Sequence, residues 1–393
     1  MLSNEIRDKF LKFFEKHGHV VVPSASVVPE NDPTVLFTTA GMQQFKPYYV
    51  GSKDVQQDFN SLNLASSQKC VRTSDIEEVG DLSHLTFFEM LGNFSFGGYW
   101  KKEAIEWAHE LITKEIGLKI DYVSIFGGEE GVPKDTESAL IWKSLDPNIV
   151  VKEFGRSDNF WGPTGEEGPC GPTTEIYVDG IEVWNIVFNE YYQAKDRTLT
   201  PLKVKGIDTG MGLERLVKVV QKVESVFETD LFIPIMQVAN SRIVADHIRT
   251  SCFMIADGVT PSNTDRGYIL RRLLRRAYVH ARKLESGTEA LSAVIDTVLS
   301  HQSYKSLYAF SENTLNVVME EIEKFKKALD AGLKQVEKGA DPFILFTSYG
   351  LPLEIIEEVL EVDKEKFKKQ MEEHKQLSSA AGEQKFSAKG GSA

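Results

Sequence analysis

The segment that most constrains this chain is residues 206–215, which read Gly-Ile-Asp-Thr-Gly-Met-Gly-Leu-Glu-Arg. Its three glycines lack a Cβ, so the backbone there can approach a ligand closely. Arg215 adds a permanent cation whose planar fork matches phosphate oxygens. The segment therefore predicts a strand that leads into a helix, with a nucleotide on the glycines and its phosphates near Arg215. It matches neither the P-loop nor the dinucleotide-binding pattern.

A second segment offers complementary groups for a nucleotide. Arg72 follows an apolar run, and a short polar loop separates it from a second run that contains Phe87, Phe88 and Phe94. Both runs are apolar enough to be strands, so the segment predicts a hairpin. An aromatic face that stacks on a base contributes ~1–3 kcal/mol. Each phenylalanine taken alone fits core packing better, and the prediction depends on the two segments together.

These segments resemble the class II aminoacyl-tRNA synthetases, and further ones narrow the resemblance to the alanyl-tRNA synthetases. The second motif of that class is an arginine, a loop and His-x-x-x-Phe, which corresponds to Arg72 and His84 to Phe88. The third is a glycine-rich strand that ends in Glu-Arg, which corresponds to residues 206–215. The segments similar to the alanine enzymes are residues 38–46, 87–97, 157–161, 168–172, 174–176, 184–188 and 245–249. The resemblance covers about residues 1–375.

The resemblance implies an α+β fold, in which a class II catalytic domain with an antiparallel β-sheet flanked by helices precedes a mostly helical domain. The residues themselves agree. Short β-type runs separated by turns favour antiparallel strands at residues 122–126, 149–154, 174–178 and 182–188. Helical patterns cover residues 3–17, 101–116, 213–226, 230–256, 267–285, 289–300 and 311–338. We expect a catalytic domain at 1–225, a helical domain that recognises the tRNA acceptor stem at 226–377, and a flexible tail or linker at 378–393.

The activity implied by the resemblance is the ATP-dependent conversion of L-alanine to alanyl-adenylate, followed by transfer of alanine to the 3′ end of alanine tRNA. The residues matched to ATP binding are Arg72, Phe88, Glu89, Met90, Glu175, Gly210, Gly212 and Arg215. Arg72 would hold the α-phosphate and Arg215 the β- and γ-phosphates, while Phe88 would stack on adenine. Glu89 or the Met90 backbone would read the adenine amino group. Glu175 is the expected ligand of the Mg²⁺ that accompanies ATP.

A second set of residues matches the alanine site of the family. Asp208 corresponds to the acceptor of the alanine ammonium group and is, with Arg72 and Arg215, an expected catalytic residue. Asn185 can bind polar groups of the substrate. Trp161 and Val187 would surround the methyl group, and Gly210 belongs to the same alanine-binding set. Such a pocket rejects an added hydroxyl, as in serine, only ~10²-fold.

A basic segment predicts contact with RNA although the net charge of the chain is −13. Residues 263–284 contain seven basic residues and one acid, and a clustered basic face is typical of nucleic-acid binding. Arg271, Arg272, Arg275 and Arg276 share one face of a predicted helix. That face either pairs with acids of the protein or contacts phosphates, and the lack of acids within the helix favours phosphates. By resemblance, Asn263 reads a G·U pair in the acceptor stem, with Asp341 as its candidate partner.

Departures from the family pattern leave two alternatives open. The loop after Arg72 is acidic where relatives carry basic residues, and residues 346–350 lack the aspartate of the family's Tyr-Asp-Thr-Tyr-Gly. A paralogue that passes an aminoacyl-adenylate to a non-tRNA acceptor would lose the arginine helix and Asn263. A non-catalytic RNA-binding relative would lose Arg72 or Arg215. All of these residues are present, which favours the tRNA-charging enzyme.

Composition limits the cofactors and the compartment. Three cysteines without a Cys-x-x-Cys motif favour a reducing cytosol and no zinc site. The sequence also contains no His-x-x-x-His pair, which is the zinc-binding pattern of the family's editing domain. Apolar runs are far shorter than a membrane span, and the N-terminus does not resemble a signal peptide. We expect a cytoplasmic monomer that binds ATP, L-alanine and alanine tRNA and no membrane.

Overall fold

The computed structural model describes residues 1–30, 35–129, 131–163, 165–284, 287–351, 353, 356–357 and 360–373. The strands are β1 (Val20–Val21), β2 (Asn63–Val71), β3 (Phe87–Phe96), β4 (Tyr122–Phe126), β5 (Val151–Phe154), β6 (Phe160–Trp161), β7 (Gly168–Val178), β8 (Ile181–Gln193) and β9 (Leu199–Gly212). The first helices are α1 (Ser3–Lys16), α2 (Lys46–Tyr49), α3 (Val55–Phe59), α4 (Lys101–Glu110), α5 (Thr136–Leu145), α6 (Arg156–Asn159) and α7 (Leu213–Gln221). The later helices are α8 (Ile233–Ala239), α9 (Arg242–Ala256), α10 (Asp265–Lys283), α11 (Gly287–Ser300), α12 (Ser311–Val336) and α13 (Pro342–Tyr349).

The strands of the described residues form one mixed sheet in the order β1-β2-β3-β9-β8-β7-β4-β5, and β6 pairs with β7. Neighbouring strands are antiparallel except for the parallel pairs β1–β2 and β4–β5. The chain after β9 is helical wherever it is regular. The predicted α+β fold, with a largely antiparallel sheet followed by a helical region, is confirmed.

The sequence analysis did not predict α5, nor the shorter helices α2, α3, α6 and α13. Helix α5, the longest of these, depends on distant contacts. The Asp135 carboxylate caps its first turn by accepting the Ser138 N–H. Trp142 is fully buried, and its Nε1 donates to Thr174 Oγ1 at 2.8 Å. Ile141, Trp142 and Leu145 pack on the core, but the strand that holds Trp142 is more than twenty residues away in the sequence. Four of the seven helical segments predicted from the sequence lie within two or three residues of the observed helices at both ends. Of the other three, the predicted segment 101–116 covers α4 and the π-helical turn that continues it, 213–226 extends past the end of α7, and 230–256 spans both α8 and α9.

The apolar core continues from the sheet into the helical region. Helix α1 buries Ile6, Phe10 and Phe14 in it, and seven of the twelve buried residues of α9 are apolar members of the same core. The predicted division near residue 225 therefore falls within a shared core, and the three expected domain ranges stay predictions. The expected tail at 378–393 lies outside the described residues. Among the described helices, none combines the length and apolarity needed to cross a bilayer.

Candidate nucleotide and amino-acid site

A cavity of about 260 Å³ lies over the face of the sheet formed by β3, β9 and β8. Most of the residues predicted for ATP and alanine line it together. They are Arg72, Phe88, Met90, Trp161, Asn185, Val187, Asp208, Gly210, Gly212 and Arg215. Glu89 and Glu175 are not among the lining residues.

The register of the strands explains why these side chains share one face. On β9, Asp208, Gly210 and Gly212 are two residues apart, and side chains two apart on a strand point to the same side. Asp208 lies opposite Val187 of β8, and Gly210 lies opposite Asn185. The two-residue spacing of the glycine segment is thus the sequence signal that located the cavity.

Arg72 and Phe88 lie beside each other at one side of the cavity. The Arg72 Cζ is 4.9 Å from the centroid of the Phe88 ring, and its Nε donates to the Thr39 carbonyl at 3.3 Å. Of the three phenylalanines considered from the sequence, only Phe88 lines the cavity. Phe87 stacks on Phe253 in the core at 3.8 Å, and Phe94 is fully buried.

The Glu89 side chain points away from the cavity, as strand alternation from Phe88 requires. Its carboxylate accepts hydrogen bonds from Arg7 at 2.6 and 2.8 Å and from Ser67 at 3.0 Å. The predicted contact of the Glu89 side chain with adenine stays a prediction, and these pairings do not favour it. The backbone of Met90 remains the better placed of the two candidates, because Met90 lines the cavity.

Arg215 lies in the first turn of α7 and pairs with a residue that the sequence did not reveal. Its Nη1 is 3.2 Å from the Glu182 carboxylate, and both side chains are partly exposed at the cavity. Glu182 is at the start of β8, more than thirty residues from Arg215 in the sequence, so no local pattern indicates the pair. A phosphate bound by Arg215 would compete with Glu182 for the same guanidinium.

Asp208 is a buried acid at the wall of the cavity. Only 4% of the residue is exposed, and burial raises the pKa of its carboxyl to about 8. Within the described residues, its carboxylate has no hydrogen-bond or ion-pair partner. A buried carboxylate without a partner is costly, so this position is suited to a cationic group of a ligand.

Asn185 is held in place by Glu175. Its Nδ2 donates to Glu175 Oε1 at 3.0 Å, while its buried Oδ1 has no partner among the described residues. Ser124 and Tyr177 donate to the other Glu175 oxygen at 3.0 and 2.8 Å. Burial and the nearby Glu182 raise the Glu175 pKa to about 7. The Glu175 carboxylate therefore serves to orient Asn185.

The predicted Mg²⁺ ligand role of Glu175 is not favoured by this arrangement. Three donors already engage its carboxylate, and it does not line the cavity. Within the described part of the chain, no three His, Cys, Asp or Glu residues are grouped to hold a metal ion. The Mg²⁺-binding role of Glu175 stays a prediction.

The sequence matches one family of known proteins over most of its length. The family model described as tRNA synthetases class II (A) matches residues 5–391. The chain belongs to this family. The alanine–tRNA ligase of Rubrobacter xylanophilus is 40% identical and covers 96% of this chain and 49% of its own length. The alanine–tRNA ligase of Borrelia hermsii is 39% identical, and the match covers 100% of this chain and 75% of the relative.

This class II synthetase spans about half the length of the Rubrobacter relative and three quarters of the Borrelia one. Among solved structures, a pyrrolysyl-tRNA synthetase from Desulfitobacterium hafniense is 13% identical, with a TM-score of 0.37. It covers 58% of this chain and 72% of that one. The resemblance to alanyl-tRNA synthetases, inferred above from the motifs, is confirmed by the curated relatives.

The arginines of α10 in this synthetase are paired within the protein. Arg271 and Arg275 both contact the buried Glu321 of α12, at 3.0 and 2.9 Å. Arg272 pairs with Glu77, and Arg276 donates to the Ile76 carbonyl. From the sequence, these arginines could contact either phosphates or acids of the protein, and the acids, Glu321 and Glu77, come from elements that the local pattern does not show. Phosphate contact by these four residues stays a prediction.

The two residues predicted to read the acceptor stem also have partners. The Asn263 side-chain oxygen accepts a hydrogen bond from Arg271. Asp341 caps α13 by accepting the Phe343 N–H at 2.8 Å, and it pairs with Lys366 at 3.3 Å. Recognition of RNA by Asn263 and Asp341 also stays a prediction.

Proposed function

We propose that this chain activates L-alanine with ATP and transfers it to the 3′ end of alanine tRNA. The observation that carries the proposal is the unpaired, buried Asp208 carboxylate in the same cavity as Arg72, Phe88 and Arg215. Those groups suit an ammonium, a phosphate, a base and a second phosphate, respectively. The named function of the curated relatives, alanine–tRNA ligase, supports the same conclusion.

In the first step, the alanine carboxylate attacks the α-phosphorus of ATP and pyrophosphate leaves. Phosphoryl transfer requires mainly positioning and charge stabilisation. Phe88 stacks on the adenine, and Arg72, beside its ring, holds the α-phosphate as negative charge develops on it. Arg215 exchanges Glu182 for the departing pyrophosphate. Mg²⁺ enters with ATP as part of the substrate.

The alanine pocket combines one charged contact with a small apolar space. Asp208 accepts the ammonium group, and Asn185, held by Glu175, offers its free side-chain oxygen to the same substrate. Trp161 and Val187 leave room for a methyl group. A missing or added small group changes binding by only ~1–3 kcal/mol, so the pocket discriminates weakly against glycine and serine.

In the second step, a hydroxyl of the terminal tRNA adenosine attacks the alanyl carbonyl and AMP leaves. Asn263 and Asp341 recognise the acceptor-stem G·U pair, and the partly exposed Arg272 contacts phosphate. RNA is suited to this recognition because its minor groove is wide and shallow. Binding of tRNA would then displace Asn263 from Arg271 and Arg272 from Glu77.

The proposal is tested by alanine-dependent ATP–pyrophosphate exchange, followed by charging of alanine tRNA with and without its G·U pair. Exchange with alanine, and charging that requires the G·U pair, are expected. The Arg72→Ala variant should lose most exchange activity, because removal of one preorganised donor to a charged transition state costs about 2.7–4 kcal/mol where it has been measured in an oxyanion hole. Near-normal exchange by this variant would remove Arg72 from the mechanism.

A second candidate is a synthetase paralogue that passes the aminoacyl-adenylate to a non-tRNA acceptor. The internal pairing of all four α10 arginines favours it, because paired arginines are less available to RNA. It shares the first step, so exchange does not separate the two functions. Normal exchange without charging of any alanine tRNA would select the paralogue.

A further inference from the structure

A buried ion pair lies at the wall of the nucleotide cavity, where Glu214 is a lining residue, and neither of its residues was predicted to be functional. Arg249 of α9 and Glu214 of α7 contact each other, and their side chains are 0% and 2% exposed. Removing two charges from water costs several kcal/mol per ion in real proteins. The groups that this pair contacts indicate what it does in this chain.

The pair holds the backbone on both sides of Phe88. Arg249 Nη1 donates to the Phe87 carbonyl at 2.7 Å. Glu214 accepts the Glu89 N–H at 3.1 Å. The peptide groups before and after Phe88 are therefore fixed by one partner each, and the direction of the Phe88 ring follows from them.

The same pair fixes the start of α7. Glu214 immediately precedes Arg215, so the bond from Arg249 to Glu214 limits where the Arg215 guanidinium can lie. Arg249 is itself fully constrained: its Nε donates to Tyr304 at 2.8 Å, and its guanidinium lies 4.7 and 4.8 Å from the rings of Phe87 and Phe232. A planar five-donor group can make all these contacts at once, whereas a lysine cannot.

We propose that Arg249 and Glu214 form a positioning clamp that sets Phe88 and Arg215 for ATP and makes ATP affinity depend on helix α9. Arg249 touches no substrate and acts through the two residues it holds. The inference rests on the proposed function in one respect, namely that Phe88 and Arg215 bind ATP. Its consequence is that the helical region contributes to nucleotide binding as well as to the tRNA step.

The test is ATP affinity of the Arg249→Met/Glu214→Gln double variant, measured by titration calorimetry on the full chain. Removing both charges leaves neither ion unpaired, which favours retention of the fold. We expect the Kd of ATP, and its KM in pyrophosphate exchange, to rise about ten-fold, with a smaller change in the KM of alanine. Arg249→Lys keeps the charge but not the fork, and it should raise the same constants.

The control is Lys69→Met, which removes the ion pair between Lys69 of β2 and Asp257, the residue that ends α9. Lys69 lies opposite Glu89 in the sheet, but among the described residues its ammonium group bonds only Asp257 and neither the Phe87 carbonyl nor the Glu89 N–H, so ATP affinity should not change. A purely structural role for Arg249 would lower kcat with the folded fraction and leave the KM of ATP unchanged. That result would overturn the clamp, as would wild-type ATP affinity in a folded double variant.

Two further outcomes separate the clamp from the proposed function. If the double variant does not fold, the affinity of Arg249→Lys decides, and an unchanged Kd overturns the clamp. Wild-type protein that binds ATP without alanine-dependent exchange would refute the alanine function, while the Kd comparison still decides the clamp. Wild-type protein that does not bind ATP would overturn both.

Discussion

At the residue scale, Asp208 provides a binding group whose burial lowers the stability of the fold. Its carboxyl is buried beside Trp161 and Val187, and burial alone raises its pKa to about 8. The residue type and position follow from the sequence motif. The pKa does not, because it depends on how completely β8, β9 and the cavity wall exclude water.

The first prediction is a pH dependence of alanine binding. Alanine's ammonium requires the charged carboxylate, and the free-enzyme Asp208 is charged only as pH rises through about 8. The value of kcat/KM for alanine should therefore increase from pH 6 to about 8, since that ratio reports groups of the free enzyme. Asp208→Asn should raise the KM of alanine and remove this limb of the profile. A flat wild-type profile would mean that the ammonium binds elsewhere.

The same residue predicts that the stability of the fold decreases over the pH range in which alanine binding increases. Its folded pKa lies above the unfolded value of about 3.9, so folding favours the protonated form. The stability that the protonated Asp208 preserves is fully present below pH 4. As the pH rises from 4 towards 8, the free energy of unfolding falls by up to about 1.4 kcal/mol per pH unit. Asp208→Asn should thus unfold at higher denaturant concentration than wild type at pH 8 and at a similar concentration at pH 4. Equal midpoints at both pH values would contradict the raised pKa.

At the element scale, β9 separates what the sequence could predict from what it could not. The two-residue spacing of Asp208, Gly210 and Gly212 located the cavity, because strand periodicity is a local property. The pairing of Arg215 with Glu182, and of Arg275 with Glu321, was not predicted, because each joins elements distant in the chain. Helix α5 was missed for the same reason.

The glycines of β9 serve different purposes, which gives the second prediction. A Cβ on Gly206 would lie 2.5 Å from Tyr49 and 2.8 Å from the Ser95 carbonyl, whereas one on Gly212 would have no neighbour closer than 3.9 Å. Gly206→Ala should lower the free energy of unfolding by about 1–3 kcal/mol through overpacking. Gly212→Ala should leave the free energy of unfolding nearly unchanged but weaken ATP binding, because the added methyl group enters the cavity. Unaltered ATP affinity in Gly212→Ala would place the nucleotide away from β9.

The third prediction concerns the arginines of α10. Arg276 is 7% exposed and donates to the Ile76 carbonyl, while Arg272 is 35% exposed and pairs with Glu77. Arg276→Gln should lower the free energy of unfolding by roughly 1.5–3 kcal/mol, as expected for a charged hydrogen bond. Arg272→Gln should change it little, and each lost phosphate contact should reduce the salt slope of tRNA binding by roughly 0.7–0.9. Urea unfolding measures the change in stability, and tRNA binding at several salt concentrations measures the salt slope. An unchanged slope would exclude Arg272 from the RNA contact.

At the scale of the whole molecule, the helical region and the sheet share one core. Helix α9 buries twelve of its fifteen residues, and its Phe253 stacks on Phe87 of the sheet at 3.8 Å. The buried pair of Arg249 and Glu214 crosses the same boundary. The sequence marked this boundary by a change from strand to helix, but a change of element type does not determine whether two regions fold separately.

The last prediction is that the two regions unfold together. Separating them would expose the stacked rings of Phe87 and Phe253, and burial of one such side chain contributes about 1.5–3 kcal/mol. Thermal unfolding should therefore show one transition, with the calorimetric enthalpy equal to the van't Hoff enthalpy. Tryptophan fluorescence reports on the sheet half, where Trp142 and Trp184 are buried. Its unfolding curve, and that from near-ultraviolet circular dichroism, should coincide with the calorimetric transition. Two separate transitions would show that residues 1–225 and 226–377 are independent domains, and they would also remove the structural basis for coupling α9 to ATP.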